Sequence, residues 1–278
     1  MTDKGWFEGL DTDDLEAASR AIREGRAGVP RDWPGLAVEA GFVADREAYY
    51  DRLHEATVAA TRETVAERER ADDQQLVHAL RAMDDLVETE NELAERAFEW
   101  AGSYYGETRE GLEYVREVAD RDPEDPVEER IVALARRVVD LADERTQLRG
   151  FIERQAPAVA PNLSMLAGPV LAARLISLAG SLETLAKKPS GTVQVLGAED
   201  ALFAHLRGRA PSPKHGIIFT HEYVRGTRPE DRGSAARAFA GKLSIAARID
   251  YYSGDRRPEL QDELAERIER IRARGDAE

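Results

Sequence analysis

Apolar residues recur every three or four positions over two long stretches in the middle of the chain. Between Asp72 and about Ala101, the residues Leu76, Leu80, Met83, Val87, Glu90, Ala94 and Ala97 keep that spacing, the period of one face of an amphipathic helix. From Val127 the series Ile131, Leu134, Val138, Leu141, Arg145, Leu148, Ile152 alternates steps of three and four over three heptads, the seam of a coiled coil. Between the two, "GSYYGE" breaks the first helix, a short helical run covers Gly111 to Ala119, and the prolines and aspartates of "DRDPEDP" stop one helix and cap the next. Two long helices joined by a short link predict an antiparallel coiled-coil hairpin over residues 71–155. An ordinary helical bundle would use the same period. Dense charge off the stripe on both helices suits a thin seam better than a broad buried face.

The flanking regions read differently. Residues 1–70 hold "GWFEGL", "VPRDWPG" and "EAGFVADREAYYDRL", with Gly and Pro punctuation and three short helical patterns at most, which predicts a small α-rich or α/β module. At "ERQAPAVAPN" the charge density falls and prolines end the helix, which places a domain boundary near Gln155. Beyond it, "LSMLAGPVLAARLISLAG" is almost uncharged apart from Arg174 and is expected to be one helix at the centre of a core. A second long helix is expected from about Arg232 to Tyr252. The closing "PELQDELAERIERIRARG" repeats Leu260, Leu264, Ile268 and Ile271, a surface helix with its own apolar stripe. The fold expected is mainly α, with residues 156–278 as the third part.

Composition narrows the chemistry. The chain has 278 residues and a net charge of -15, a surface kept hydrated by acid, as in a halophilic cytoplasm. With no cysteine, disulfides, thiolate metal sites and cysteine nucleophiles are excluded. The opening "MTDKGWFEGL" lacks a basic n-region followed by an apolar core, so a cytoplasmic location with no membrane partner is expected. The total charge hides an asymmetry. From Ala156 to Arg257 there are 14 Lys and Arg against 8 Asp and Glu, a local +6, while the rest of the chain carries -21. One basic segment in an acidic chain implies a surface held back for an anionic partner, nucleic acid first and an acidic protein as the alternative.

Within that segment, the helix "RGSAARAFAGKLSIAARIDYY" separates into two faces at about 100° per residue. Arg237, Gly241, Ser244 and Arg248 share a narrow arc; Ala235, Phe239, Leu243, Ala246 and Ile249 lie opposite, with Lys242 at the border. Two arginines with only glycine and serine between them would let a polyanion backbone approach closely, although a solvated basic face has the same composition. Lys242, near the buried side, is expected to pair with a carboxylate. "GAEDALFAHL" has the composition of a helix N-terminus, whose Glu199 and Asp200 are expected to act as caps or as partners of Lys242 or Arg248. His205, His215 and His221 match no common metal spacing, and His215 beside Lys214 reads as a polar RNA or protein contact. There is no glycine-rich phosphate loop, nucleophile elbow or dinucleotide fingerprint. Nothing in these residues calls for catalysis, a metal or a cofactor.

"APNLSMLAGPVLAARLISLAGSLETLAKKPSGTVQVLGAEDALFAHL", then "PSPKHGIIFTHEYV" and "RGSAARAFAGKLSIAARIDYYSG", resemble the Nop domain of the archaeal fibrillarin-associated core proteins of box C/D guide ribonucleoproteins. The match runs from about Pro161 to Gly254, and "AMDDLVETENELAERAFEWAGSYYGE" resembles the same family's first coiled-coil helix. The resemblance implies an all-helical Nop domain that grips a kink-turn guide RNA together with a small kink-turn-binding protein. It further implies a coiled coil that homodimerises and an N-terminal module that holds fibrillarin. On that view the chain is a non-catalytic scaffold for guide-directed ribose 2′-O-methylation of rRNA or tRNA, with S-adenosylmethionine on fibrillarin only. The RNA-facing positions implied are Gln194, Gly197, Ala198, Glu199, Lys214, His215, Arg232, Arg237, Lys242, Ser244 and Arg248. Two positions depart from the family's motifs: Asp200 stands where "GAEK" has lysine, and Ala204 where "ALFR" has arginine. Both departures remove positive charge. The N-terminal module is also shorter than the family's usual one.

Overall fold

Aspartates start the first three helices. The structure, a computed structural model, describes residues 5–26 and 28–274. Helix α1 (Leu15–Glu24) is capped by Asp14, α2 (Trp33–Glu39) by Asp32 and α3 (Arg46–Glu69) by Asp45, each carboxylate accepting an orphan N–H of the first turn. These helices form a unit that ends at Ala71, and the remainder of the chain forms a second unit from Asp72. The first unit is held by aromatics from both sides of the helices: Trp6 meets Phe42 edge-on with centroids 5.4 Å apart, and Trp6 Nε1 donates to Tyr49 Oη at 3.1 Å. No strand is found among the described residues, so this module is α-rich rather than α/β. Its third helix is long, with 24 residues. The sequence showed only its first turns because the rest carries alanines and charge in place of large apolar residues.

In the second unit, α4 (Asp72–Tyr105) and α6 (Pro126–Val159) run antiparallel. Leu76, Leu80 and Met83 near the start of α4 share a core with Ile152 and Ala156 at the end of α6. Ala97 and Ala101 near the end of α4 pack with Ile131, Ala135 and Val138 at the start of α6. Midway, Arg145 Nε lies 2.7 Å from Glu90 Oε2, a carboxylate on the seam that is only 6% exposed. The link is more than a turn: α5 (Leu112–Ala119) inserts Tyr114, Val115 and Val118 into the far end and closes it. Asp125 caps α6 through the N–H groups of Val127 and Glu128, and accepts the Tyr104 hydroxyl. That bond, the largest cause, and burial push the Tyr104 phenol up to about 12.

The boundary expected near Gln155 is not a break. Helix α6 runs to Val159 with Pro157 inside its last turn, and the base of the hairpin belongs to the same apolar core as the elements that follow. The single apolar helix expected next is two, α7 (Pro161–Ala167) and α8 (Pro169–Ala179), bent by 116°. Gly168 has φ +77°, and Pro169, which lacks an N–H, opens the second helix. No single helix among the described residues is long and apolar enough to cross a membrane. Short helices α9 (Leu182–Lys187), α10 (Ser190–Val195), α11 (Glu199–Leu206) and α12 (Glu222–Arg225) lead to the central α13 (Arg232–Tyr252) and then α14 (Glu259–Arg274). Phe239 and Leu243 of α13 are fully buried, each contributing about 2 kcal/mol. The stripe on α14 is buried, with Leu264 and Ile268 at most 1% exposed, while most of its other residues are exposed, so α14 is the surface helix expected, laid on the core by its apolar face.

A buried polar network fixes the end of α13 to the start of α7. Asp250 accepts N–H groups of Asn162 (3.0 Å) and Leu163 (2.8 Å) at the start of α7 and the Asn162 side-chain amide at 2.6 Å. Asn162 in turn donates to the Asp255 carbonyl and accepts from Arg257 N–H. On the other side, Arg174 of α8 grips Asp84 of α4 through two bonds of 2.6 and 2.9 Å. Removing a charged acceptor from three buried donors leaves them unmatched. Asp250→Ala is therefore expected to cost about 3 kcal/mol or more, read from the denaturant midpoint of the helical signal, with Asp250→Asn intermediate.

Candidate nucleic-acid interface

The basic segment is organised around a backbone crossing. Gly216 N–H donates to the Gln194 carbonyl and Ile217 N–H to the Leu196 carbonyl, both at 2.8 Å, while Gln194 Nε2 donates to the Lys214 carbonyl at 2.7 Å. A Cβ on Gly216 would sit 2.0 Å from the Leu196 oxygen, so only glycine fits. Gly197 has φ +80° and faces Ile217 and Leu178 so closely that a Cβ would meet each at about 3.3 Å or less. From this crossing α11 projects as an arm. None of its residues is buried, and Phe203 and Leu206 are 57% and 70% exposed.

Beyond the crossing, His215 stacks on Phe219 with centroids 4.5 Å apart, and the Arg232 guanidinium lies 5.3 Å from the same ring. Arg232 is held by carbonyls: Nε donates to Thr227 at 3.0 Å and a terminal nitrogen to Arg225 at 3.4 Å. Lys214 is exposed, and its stem passes Gly233 in the first turn of α13, where a Cβ would come within 3.9 Å. Arg237, one turn on, is exposed and has no polar partner among the described residues. Burial, and then the neighbouring Arg232 charge, hold His215 below the ordinary histidine range. The imidazole is thus neutral near pH 7, a stacking and hydrogen-bonding group rather than a cation. Half-buried His221 is likewise held low by desolvation, and its Nδ1 accepts the Tyr223 N–H at 3.2 Å.

The residues singled out from sequence therefore fall into groups. Lys214, His215, Arg232 and Arg237 come together at the N-terminal end of α13. Gln194, Gly197, Ala198 and Glu199 build the root of the arm; Ala198 precedes α11 and Glu199 accepts the Gly197 N–H at 2.9 Å. Glu199 caps no N–H of α11, holding Gly197 ahead of the helix instead, and it is not a partner of Lys242, which bonds Glu263 of α14. Nor is it a partner of Arg248, whose Nε and terminal nitrogen donate to the carbonyls of Ala186 (3.1 Å) and Lys188 (3.4 Å) at the end of α9. Ser244 is not on the open face: it is 2% exposed, its hydroxyl without a partner. Helices α9 and α10 pack along that edge of α13 and shift the free stripe to Ser234, Arg237, Gly241, Ile245, Arg248 and Tyr252. The sequence reasoning missed Phe219, which sits in the apolar run "GIIF", and Gly216. A glycine following Lys-His between two non-helical segments was the available signal for the latter.

Comparison with known proteins bears on this surface. Residues 74–272 match the family model "Nop", described as a snoRNA binding domain with fibrillarin. An uncharacterized NOP5 family protein of Methanocaldococcus jannaschii is 34% identical over 271 residues, 84% of this chain and 66% of that protein. Nucleolar protein 56 of Schizosaccharomyces pombe is 45% identical over 125 residues, 45% of this chain and 25% of that protein. Among solved structures, a chain of a fibrillarin/Nop5p complex superposes with a TM-score of 0.54 at 28% identity, covering 96% of this chain and 98% of that one. The chain thus spans less than two thirds of the length of these curated relatives.

Two outcomes are expected from this geometry. Gly216→Ala should dislodge the arm's root, lowering the melting temperature of the second unit while the seam of α4 and α6 keeps its helical signal. Because a histidine held low in the folded state takes up its proton on unfolding first, stability should fall as pH drops below about 6.5. The loss should level off only beneath the depressed folded values. A His215→Gln, His221→Gln variant should lose most of that slope in a pH series of denaturant midpoints.

Proposed function

Since the chain belongs to the Nop family, we propose that it is a non-catalytic RNA-binding scaffold of a box C/D-type ribonucleoprotein. It bridges a guide RNA kink-turn, with the small protein bound to it, to the fibrillarin methyltransferase for guide-directed ribose 2′-O-methylation of rRNA or tRNA. The observation that carries the reading is the grouping of Lys214, Arg232 and Arg237 about the exposed start of α13, inside the segment matched by a snoRNA-binding model. Phosphate oxygens are met there by a free guanidinium and a free ammonium, and an unpaired base by the neutral His215 beside Phe219. The first unit is assigned to fibrillarin, which carries the S-adenosylmethionine, and the hairpin to a second copy of the chain.

The acidic remainder of the molecule and the loss of base at Asp200 and Ala204 fit work at high salt. At about 1 M the Debye length is only ~3 Å, and affinity drawn from counterion release is nearly gone. Short hydrogen bonds, stacking and a joint fit to RNA and bound protein then carry the complex.

The test is a gel shift in molar salt with a kink-turn RNA, with and without its kink-turn-binding protein. The wild type is expected to supershift only the RNA–protein complex, and Lys214→Glu plus Arg237→Glu to weaken it by at least tenfold. An unchanged shift in the double variant would assign this surface to an acidic protein instead.

A further inference from the structure

The free stripe of α13 does not end in charge. At its far end Tyr251 and Tyr252 are 40% and 68% exposed, with ring centroids 4.8 Å apart and planes at 72°. Of the adjacent tyrosine pairs Tyr49–Tyr50, Tyr104–Tyr105 and Tyr251–Tyr252, this is the one with both rings exposed. Tyr251 is anchored by its hydroxyl to Glu183. Tyr252 has no hydrogen-bond partner among the described residues, and its ring meets that of its neighbour edge-on.

The surroundings are basic. Lys187 lies beside the pair and is matched by Glu183 at 2.5 Å. Arg248, one turn back, is bonded to carbonyls and so keeps its full charge. Lys188 and Arg256 have no side-chain partner among the described residues. The other carboxylate nearby, Asp255, faces Arg257 at 3.6 Å. An exposed aromatic pair with Lys187 beside it, Lys188 next in the chain and Arg256 four residues on is the composition of a platform for unpaired nucleotides, in which rings stack bases and cations follow the phosphates. The stripe that begins at Arg237 reaches Tyr252 fifteen residues later, a rise of about 22 Å, with exposed Ile245 and Gly241 leaving the path low between them.

We propose that Tyr251 and Tyr252, with Lys188 and Arg256, form a second RNA contact that stacks single-stranded nucleotides leading out of the structured RNA held at the other end of α13. This rests on the RNA-scaffold reading above. It gives the protein a salt-resistant hold on RNA, since stacking is insensitive to the screening that weakens phosphate contacts.

The full chain is tested by titration, in molar salt and with the kink-turn-binding protein present, against two kink-turn RNAs. One is trimmed to the structured element; the other carries single-stranded extensions of about eight nucleotides, within the span such grooves cover. Wild type should bind the extended RNA roughly tenfold more tightly, the effect of about one stacked base. Tyr251→Ala plus Tyr252→Ala should lose that gain, and Tyr252→Trp should keep it. Wild type showing no preference for the extended RNA, or the alanine variant retaining it, would overturn the platform. A loss in the alanine variant that is equal for both RNAs would also overturn it, assigning the tyrosines to a protein. Failure of the wild type to bind either RNA would instead sink the RNA-scaffold reading and this contact with it. Circular dichroism melts of both variants check that these surface changes leave the fold intact.

Discussion

Helix α13 is enclosed on all but one edge, and the remainder of its unit is arranged by that enclosure. Helices α7, α9, α10, α12 and α14 all pack against it. The sequence permits such crowding because Ala235, Ala236, Ala240, Ala246 and Ala247 surround Phe239 and Leu243 on the buried side, which lets neighbouring backbones come close. A carboxylate at position 250 then joins the end of α13 to the first turn of α7. With so much of the helix surface covered, the strip left open is narrow and its residues are set by geometry.

Net charge overstated how much base is free. The segment from Ala156 to Arg257 carries an excess of six positive charges, yet several of its cations bind the protein itself. Arg174 clamps α8 to α4, Arg232 and Arg248 cap the ends of α12 and α9, and Lys242 ties α13 to α14. Arg232 and Arg248 are satisfied by carbonyls rather than carboxylates, so they still project positive potential while their positions are fixed. Arginine suits that double role because its five donors can serve backbone and ligand together.

Periodicity made the helices legible and loops hid the site. Strong stripes such as Leu76–Met83 and Leu260–Ile271 announced their elements, and the ends of α13 at Arg232 and Tyr252 could be read from the sequence. Of the arc read on α13, Ser244 is buried and Ile245, assigned to neither face, is exposed, because which edge of a helix is covered depends on neighbours distant in sequence. The bend at Gly168–Pro169 was written in the two residues that commonly punctuate helices, yet an uninterrupted apolar composition masked it. The crossing of Gly216 over Leu196 had no local signal apart from the glycine. It is a contact across twenty residues that neither period nor propensity encodes.

Because α4 and α6 pass from the core into the hairpin without a joint, the second unit behaves as one stiff arm and body. Each helix has 34 residues, about 50 Å of rise, and the paired Glu90 and Arg145 lie midway along the seam. Whatever is fastened at the closed far end, where α5 seals the pair, is therefore set at a fixed span from the strip on α13. In an assembly the hairpin would work as a ruler, turning a count of helical residues into a distance between attachment points.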